Sequence, residues 1–337
     1  MPAYRQIGSP SPSLIDMSID ITIGSRSSKL ASWQAHHVQS LLRQNEDIKR
    51  VDIKWITTKG DRILDKPLAE LGGKGLFIKE IEVALLQSEI DLAVHSLKDL
   101  PTIQPDGLTI TAIPQRADPR DALVLSKRST NSNSQLAYEA TTISATSPPA
   151  DIRRDVICNM LRSLPIGAKV GTTSLRRKCQ LLFARPDLEV ESIRGNVDTR
   201  LAKLDQGEFD ALILASAGLI RLNLAERISV PLDFPWISAV GQGAIAIECR
   251  DVEGGENNAH DQKVVRCIHN LDSSPTRICV AAERAFLRAI DGDCHQPFGA
   301  ICRLIPPDAN PIATAQMQSG AGATEPRDIE QSRIELT

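Results

Sequence analysis

Ile90-Asp91-Leu92-Ala93-Val94-His95-Ser96-Leu97-Lys98-Asp99-Leu100-Pro101 joins an apolar run to a charged pair and a proline. Ile90 to Val94 reads as a buried strand. Pro101 lacks a backbone donor and biases Leu100 away from helix. The strand is therefore expected to end near Ser96, with Lys98 and Asp99 in the loop beyond its carboxyl end. In open α/β sheets ligands bind at that edge. An acid beside a base there is a candidate for proton chemistry. A cap or a loop ion pair is the plainer alternative.

The same alternation extends outward in both directions. Ile21 to Ile23 predicts a first strand, and Ser27 or Ser28 can cap a helix from about Lys29 to Arg43. Val51 to Ile56 predicts a second strand. Gly72-Gly73-Lys74-Gly75 predicts a flexible loop before a helix at about Ile78 to Gln87, and Leu108 to Ile113 another strand. A second unit starts near Asp121, with strands at 122–125, 168–170, 188–192 and 211–214. Its helices fit 174–184, 196–205 and 217–222. The fold class is thus α/β with largely parallel sheets. Ser126 to Pro165 is rich in Ser, Thr, Asn and Pro and reads as an insertion, with a short helix within Asp151 to Leu164. Ala239 to Cys249 reads as a turn and a buried strand. Beyond it an amphipathic helix is expected at 274–290, then strands near 300–304, 312–317 and 332–336.

Composition narrows the function classes. Aromatic residues make up 3% of the 337 residues, too few for surfaces that stack nucleic-acid bases. The formal net charge of -3 gives no global field for a polyanion, so any anionic ligand must be held by a local basic cluster. No apolar stretch is long enough to span a membrane, so no membrane partner is expected. The seven Cys are odd in number and lack C-x-x-C spacing, which predicts reduced thiols, no zinc and a cytoplasmic location, an organelle remaining open. Residues 1–17 carry no secretory signal and read as a disordered extension.

Three constellations carry chemistry. Basic residues recur where helices begin: Arg26, Arg176 and Arg177 after Gly171-Thr172-Thr173-Ser174, and Arg194 before a helix that bears Arg200. Arg221 ends the next helix. Helix N-termini favour anions, and the guanidinium fork suits carboxylates. A cleft for a small molecule with several carboxylates is the sharp reading; solvated surface arginines are the bland one. Lys98-Asp99 is the second constellation. Cys294 in Asp291-Gly292-Asp293-Cys294 is the third, a nucleophile if its thiol is accessible and a small buried hydrophobe otherwise.

These constellations, in this order, resemble the porphobilinogen deaminase (hydroxymethylbilane synthase) family. The matching stretches are Gly24 to Ala31, Thr58 to Asp65, Gly72 to Glu80, His95 to Pro101, Asp118 to Ala122, Gly171 to Arg177, Ile193 to Leu204, Val240 to Arg250 and Ala282 to Cys294. The resemblance implies a transferase of porphyrin and heme biosynthesis. It would join four porphobilinogen molecules head to tail into a linear tetrapyrrole and release ammonia at each step. It implies a dipyrromethane cofactor, thioether-linked to Cys294, and Asp99 as the catalytic carboxylate. Arg26, Ser28, Lys98, Arg176, Arg177, Arg194, Arg200 and Arg221 would hold acetate and propionate groups. Ser96, Thr172 and Ser174 would add hydroxyl contacts. Lys74, Phe77 and Lys79 would belong to a mobile cover, and Gln242 would lie near the crossing between domains.

The family fold implies two domains like periplasmic solute-binding proteins, with mixed, mainly parallel sheets, and a smaller α+β C-terminal domain, in a monomer. That places domain one at 18–116 and 228–248, domain two at 117–227 with the insertion at 126–165, and domain three at 249–337. Asp293 stands where the family has a second glycine, and Thr173 where it has Ser. The family's final helix has no counterpart before Thr337, so domain three is expected to be shortened. A catalytically impaired member and a polycarboxylate-binding module are the alternative readings.

Overall fold

A computed structural model describes residues 18–62, 77–127, 150–252, 259–293, 296–305 and 333–336, without the side chains of 150–152 and 333–336. The N-terminal extension, most of the insertion, Lys74, Cys294 and the strand expected at 312–317 lie outside the described residues.

Two five-stranded mixed sheets form the framework. In the first, β1 (Ile19–Ser25) buries Ile19, Ile21 and Ile23 on alternate positions, as a half-buried strand must. It pairs in parallel with β2 (Ile48–Trp55) and β3 (Leu92–Ser96). With β4 (Leu108–Ala112) and β10 (Ile245–Arg250) the order is β2-β1-β3-β10-β4. The second sheet is made of β5 (Asp121–Leu125), β6 (Lys169–Gly171), β7 (Glu189–Glu191), β8 (Ala211–Ala215) and β9 (Val230–Leu232). Their order is β7-β6-β8-β5-β9.

Parallel pairs come from the strand–helix–strand units, as the alternation predicts. Antiparallel pairs are as numerous, because β10 returns between β3 and β4 while β5 lies between β8 and β9. These returns fix where the two sheets meet. Ser96 at the end of β3 lies opposite Ile245, where β10 begins. Asp121, where β5 begins, lies opposite Ala215 at the end of β8. The two segments that cross between sheets, Ile113–Arg120 and Asp233–Ala244, therefore meet at the carboxyl edges of the parallel strands.

The helices follow from their apolar faces. Helix α1 (Lys29–Leu42) buries Gln34, Ala35, Val38 and Leu42, and Ser28 caps it by accepting from the Ala31 N–H at 3.4 Å. A short turn, α2 (Lys59–Arg62), and α3 (Lys79–Leu86) follow. Around the second sheet lie α4 (Ala150–Met160), α5 (Leu175–Ala184), α6 (Val197–Gln206) and α7 (Ser216–Arg221). Helix α6 stops at Gly207 in the left-handed region, the usual helix terminator. Helix α8 (Ala259–His269) is an element that the sequence pattern does not announce. After it come α9 (Ser274–Ala289) and an antiparallel ribbon of β11 (Cys302–Ile305) with β12 (Arg333–Leu336).

Two observations bear on the expected domain boundaries. Val230 to Leu232 pairs with β5, and Leu232 is buried in the second core, so the return crossing starts after Leu232 rather than at 228. Val264, Cys267 and Ile268 of α8 share a core with Ile21, Val38 and Ile247, so α8 packs on the first sheet although it follows residue 249.

Candidate active site

The Asp99 turn is built by burial on one side and exposure on the other. After β3 the chain makes one turn of 3-10 helix, Leu97–Asp99, where a plain loop was expected. Leu97 is buried and its N–H donates to Ala244 O at 3.0 Å. Gly241 has a φ of +69°, and a Cβ there would stand 3.0 Å from Leu97 Cγ, so glycine lets the crossing segment press on the turn. Leu97 thus anchors the turn, and Asp99 is left exposed.

Lys98 points the other way. Its Nζ donates to Gln242 Oε1 at 3.4 Å. Burial pushes its pKa down to about 8; Asp99 and Asp121 oppose that shift, and Arg177 and Arg176 add to it.

Gln242 lies on the second crossing segment and is 1% exposed. Its Nε2 donates to Pro119 O at 2.7 Å and to Asp121 Oδ1 at 2.9 Å. Gly243 beside it has a φ of +86°, and a Cβ there would lie 2.5 Å from Ala117 O. The two crossing segments touch at a distance only glycine permits.

Asp121 is the residue that sequence reasoning missed. It is fully buried. Its Oδ2 accepts from Arg176 Nη1 at 2.8 Å and Trp236 Nε1 at 2.9 Å. Its Oδ1 accepts from Arg177 Nη2 at 2.7 Å and Arg177 Nε at 3.1 Å, besides Gln242. Burial alone would raise its pKa, but the two guanidinium charges outweigh burial and hold the carboxyl well below the usual range. The signal available in the sequence was an acid opening the otherwise apolar strand Ala122 to Leu125.

The remaining basic residues divide into two groups. Arg176 also donates to Ile237 O, and Arg177 to Ile213 O at 3.0 Å. Arg200 Nε donates to Gly195 O at 2.8 Å, and burial, with Arg177 nearby, lowers its pKa to about 10. Arg221 Nη2 donates to Gly243 O at 2.7 Å and its guanidinium lies 5.5 Å from the Trp33 ring centroid; burial lowers its pKa to about 10. Arg194 is half-buried in the turn before α6. Arg26 forms a separate group: Nη2 donates to Asp61 Oδ1 at 2.5 Å and the guanidinium stacks 4.2 Å from the Phe77 centroid. Burial disfavours the Asp61 carboxylate, yet bonds from Arg26 and Thr58 hold its pKa below the usual value.

The hydroxyls expected at the site serve the framework as well. Ser96 Oγ accepts from Gln34 Nε2 at 2.9 Å, and Thr172 Oγ1 accepts from the Ser174 N–H at 3.2 Å. Ser174 precedes α5 without a capping bond from its side chain. Lys79 opens α3, exposed. A second buried carboxylate, Glu283 of α9, braces the crossing from behind. It accepts from Arg116 Nη1 at 2.7 Å, the Gly241 N–H at 2.8 Å and the Cys302 N–H at 2.9 Å.

The charge balance states what this arrangement can hold. Arg176 and Arg177 share one carboxylate, while Arg200 and Arg221 donate to carbonyl oxygens. Among the described residues neither Arg200, half-buried, nor Arg221, buried, has a carboxylate partner, and desolvated cations of this kind favour a multiply anionic ligand. Among the described residues no group of three His, Cys, Asp or Glu is placed to hold a metal ion.

Residues 21–149 and 134–257 match a family model described as "Porphobilinogen deaminase, dipyromethane cofactor binding domain". The chain is 46% identical over 284 residues to a porphobilinogen deaminase of Xanthomonas oryzae pv. oryzae, covering 84% of this chain and 81% of that one. The chain belongs to the porphobilinogen deaminase family. Another member, from Syntrophotalea carbinolica, is 45% identical over 284 residues, covering 83% of this chain and 77% of its own. A more distant likeness is to a TRAP periplasmic solute binding protein from Desulfovibrio salexigens. It has a TM-score of 0.40 and 11% identity, covering 76% of this chain and 72% of that one. As a porphobilinogen deaminase family member the chain is a transferase with a dipyrromethane cofactor. The excess of buried guanidinium charge fits a group that carries several carboxylates. No helix among the described residues is long and apolar enough to cross a membrane.

Proposed function

We propose that Asp99 is the proton-handling carboxylate of a hydroxymethylbilane synthase, which condenses four porphobilinogen molecules into hydroxymethylbilane and releases four molecules of ammonia. One observation carries this reading: the exposed Asp99 follows Lys98, whose partner Gln242 bonds the one carboxylate that Arg176 and Arg177 share. The excess positive charge suits the acetate and propionate groups of substrate and product chain.

Asp99 passes a proton to the departing amine of porphobilinogen and offsets the positive charge that develops on the pyrrole nitrogen. Lys98, protonated below about pH 8, offers an ammonium beside it. Arg176, Arg177, Arg194, Arg200 and Arg221 orient carboxylates, with Ser28, Ser96, Thr172 and Ser174 in supporting contacts. Arg26, once released from Asp61, joins them, and Lys74, Phe77 and Lys79 are assigned to the cover of the site. Cys294 would hold the dipyrromethane through a thioether, and that group would supply the pyrrole carbon for the first coupling.

Three units are assigned. The first sheet with α1, α3 and α8 carries Asp99. The second sheet carries most of the arginines. The region from α9 onward carries Cys294. The protein acts as a cytoplasmic monomer whose partners are porphobilinogen and the growing polypyrrole. Intact mass measurement of the purified chain tests this. A mass increase matching dipyrromethane, lost in Cys294→Ala, together with ammonia release from porphobilinogen, is expected. An unmodified chain without turnover would overturn the reading.

A further inference from the structure

Gln242 is held in one orientation by what lies on either side of it. Its Nε2 faces Pro119 O and Asp121 Oδ1, two groups that only accept. The amide oxygen must therefore face away from them, and it meets Lys98 Nζ. The carboxylate at the start of β5 and Pro119 O together decide that the ammonium beside Asp99 finds an acceptor rather than a donor. The same carboxylate holds Arg176 and Arg177 from α5 and Trp236 from the crossing segment. Asp121 is fully buried, so it reaches a bound molecule only through these partners.

We propose that Asp121 is a positioning residue for the Asp99 reaction. With Gln242 it fixes Lys98 next to Asp99, and with its second oxygen it ties that turn to the arginines of α5. This role rests on Asp99 being the proton-handling carboxylate, and its test has an arm that needs no turnover.

The charges facing Lys98 make the link measurable. Asp99 adjoins it in the chain, Asp121 faces it from β5, and Arg176 and Arg177 face it from α5. Neutralising Asp121 leaves two guanidiniums opposed by Asp99 alone, so Lys98 gives up its proton at lower pH. Removing the Gln242 amide deletes the acceptor of the ammonium and has the same sign.

Competitive labelling of Lys98 by acetic anhydride across pH, read by peptide mass, follows this proton in the full chain. In the unsubstituted protein the midpoint is expected near pH 8. In Asp121→Asn and in Gln242→Met it is expected to fall by about half a pH unit or more. Both variants should also lose about tenfold in kcat/KM for porphobilinogen, with the alkaline limb of the profile displaced downward. A purely structural role would lower thermal stability and activity without moving either midpoint. If Asp121→Asn does not fold, Gln242→Met decides, because it leaves the Asp121–arginine bonds intact. A folded variant with an unchanged Lys98 midpoint overturns the proposal. If the unsubstituted chain turns over no porphobilinogen while the midpoints move, the reaction assignment fails and takes the catalytic part of the proposal with it, while the placement of Lys98 by Asp121 and Gln242 stands.

Discussion

Two aspartates at equivalent sheet edges are treated in opposite ways. Asp99 follows the carboxyl end of β3, is exposed, and adjoins a lysine whose own hydrogen bond goes elsewhere. Asp121 lies level with the carboxyl end of β8, is fully buried, and accepts from two arginines, a tryptophan and a glutamine. A carboxylate that exchanges protons with a ligand needs access and freedom from fixed donors. A carboxylate that organises guanidiniums needs the reverse, because desolvation strengthens its bonds and fixes their geometry. On the proposed function, the same side chain serves as reagent in one place and as framework in the other.

Substitution of each aspartate by asparagine is the sharpest way to break this contrast. Asp99→Asn is expected to keep its cofactor mass and lose turnover by about a thousandfold or more. Its urea unfolding midpoint should stay close to that of the unsubstituted chain. Normal rates would remove Asp99 from the chemistry. Asp121→Asn should instead lower unfolding free energy by about 3–5 kcal/mol, since it strands two buried guanidiniums. An unchanged stability would show that its burial is not what the bonds imply.

Glu283→Gln extends the same logic to another buried carboxylate, which holds Arg116 and two backbone amides. A loss of about 2–3 kcal/mol is expected, smaller than at Asp121 because one cation rather than two is stranded.

Lys98 separates activity from stability along the pH axis. Its pKa is lowered from 10.5 to about 8 in the folded protein, so between these values the unfolded chain binds more protons. The stability contribution of this group therefore rises with pH across that window. The charge it offers to a carboxylate disappears over the same window. Substrate affinity should weaken above about pH 8 while this group alone makes unfolding harder, as KM and urea titrations at matched pH would reveal. Parallel loss of both would contradict the assignment. The smallest effect is at Ser28→Ala, where loss of the α1 cap should cost about 1 kcal/mol in denaturant unfolding.

The candidate site was legible wherever a local pattern carried it. The strand before Asp99, the turn before Arg176 and the helix bearing Arg200 are short-range features, set by hydrophobic alternation and by Ser, Gly and Pro. Arg26 shows where that legibility stops. Its place before α1 was readable, yet its pairing with Asp61 and stacking on Phe77 depend on α2 and on the residues before α3. Helix α8 is not legible in the sequence because its polar residues outnumber its core contacts Val264, Cys267 and Ile268, which acquire meaning only against the first sheet and α1.

By itself the sequence determined the α/β alternation, the exposed acid after β3 and the family whose motifs it carries. Each depends on residues close together in the chain or on their order along it. Tertiary structure decided what the charges do. It paired Asp121 with arginines from α5, turned the Gln242 amide toward Lys98, and left Arg200 and Arg221 bonded to carbonyl oxygens. Those outcomes depend on two crossing segments meeting at one edge. A buried charge is settled by whatever partner the fold brings within about 3 Å, and spacing along the chain does not record that distance.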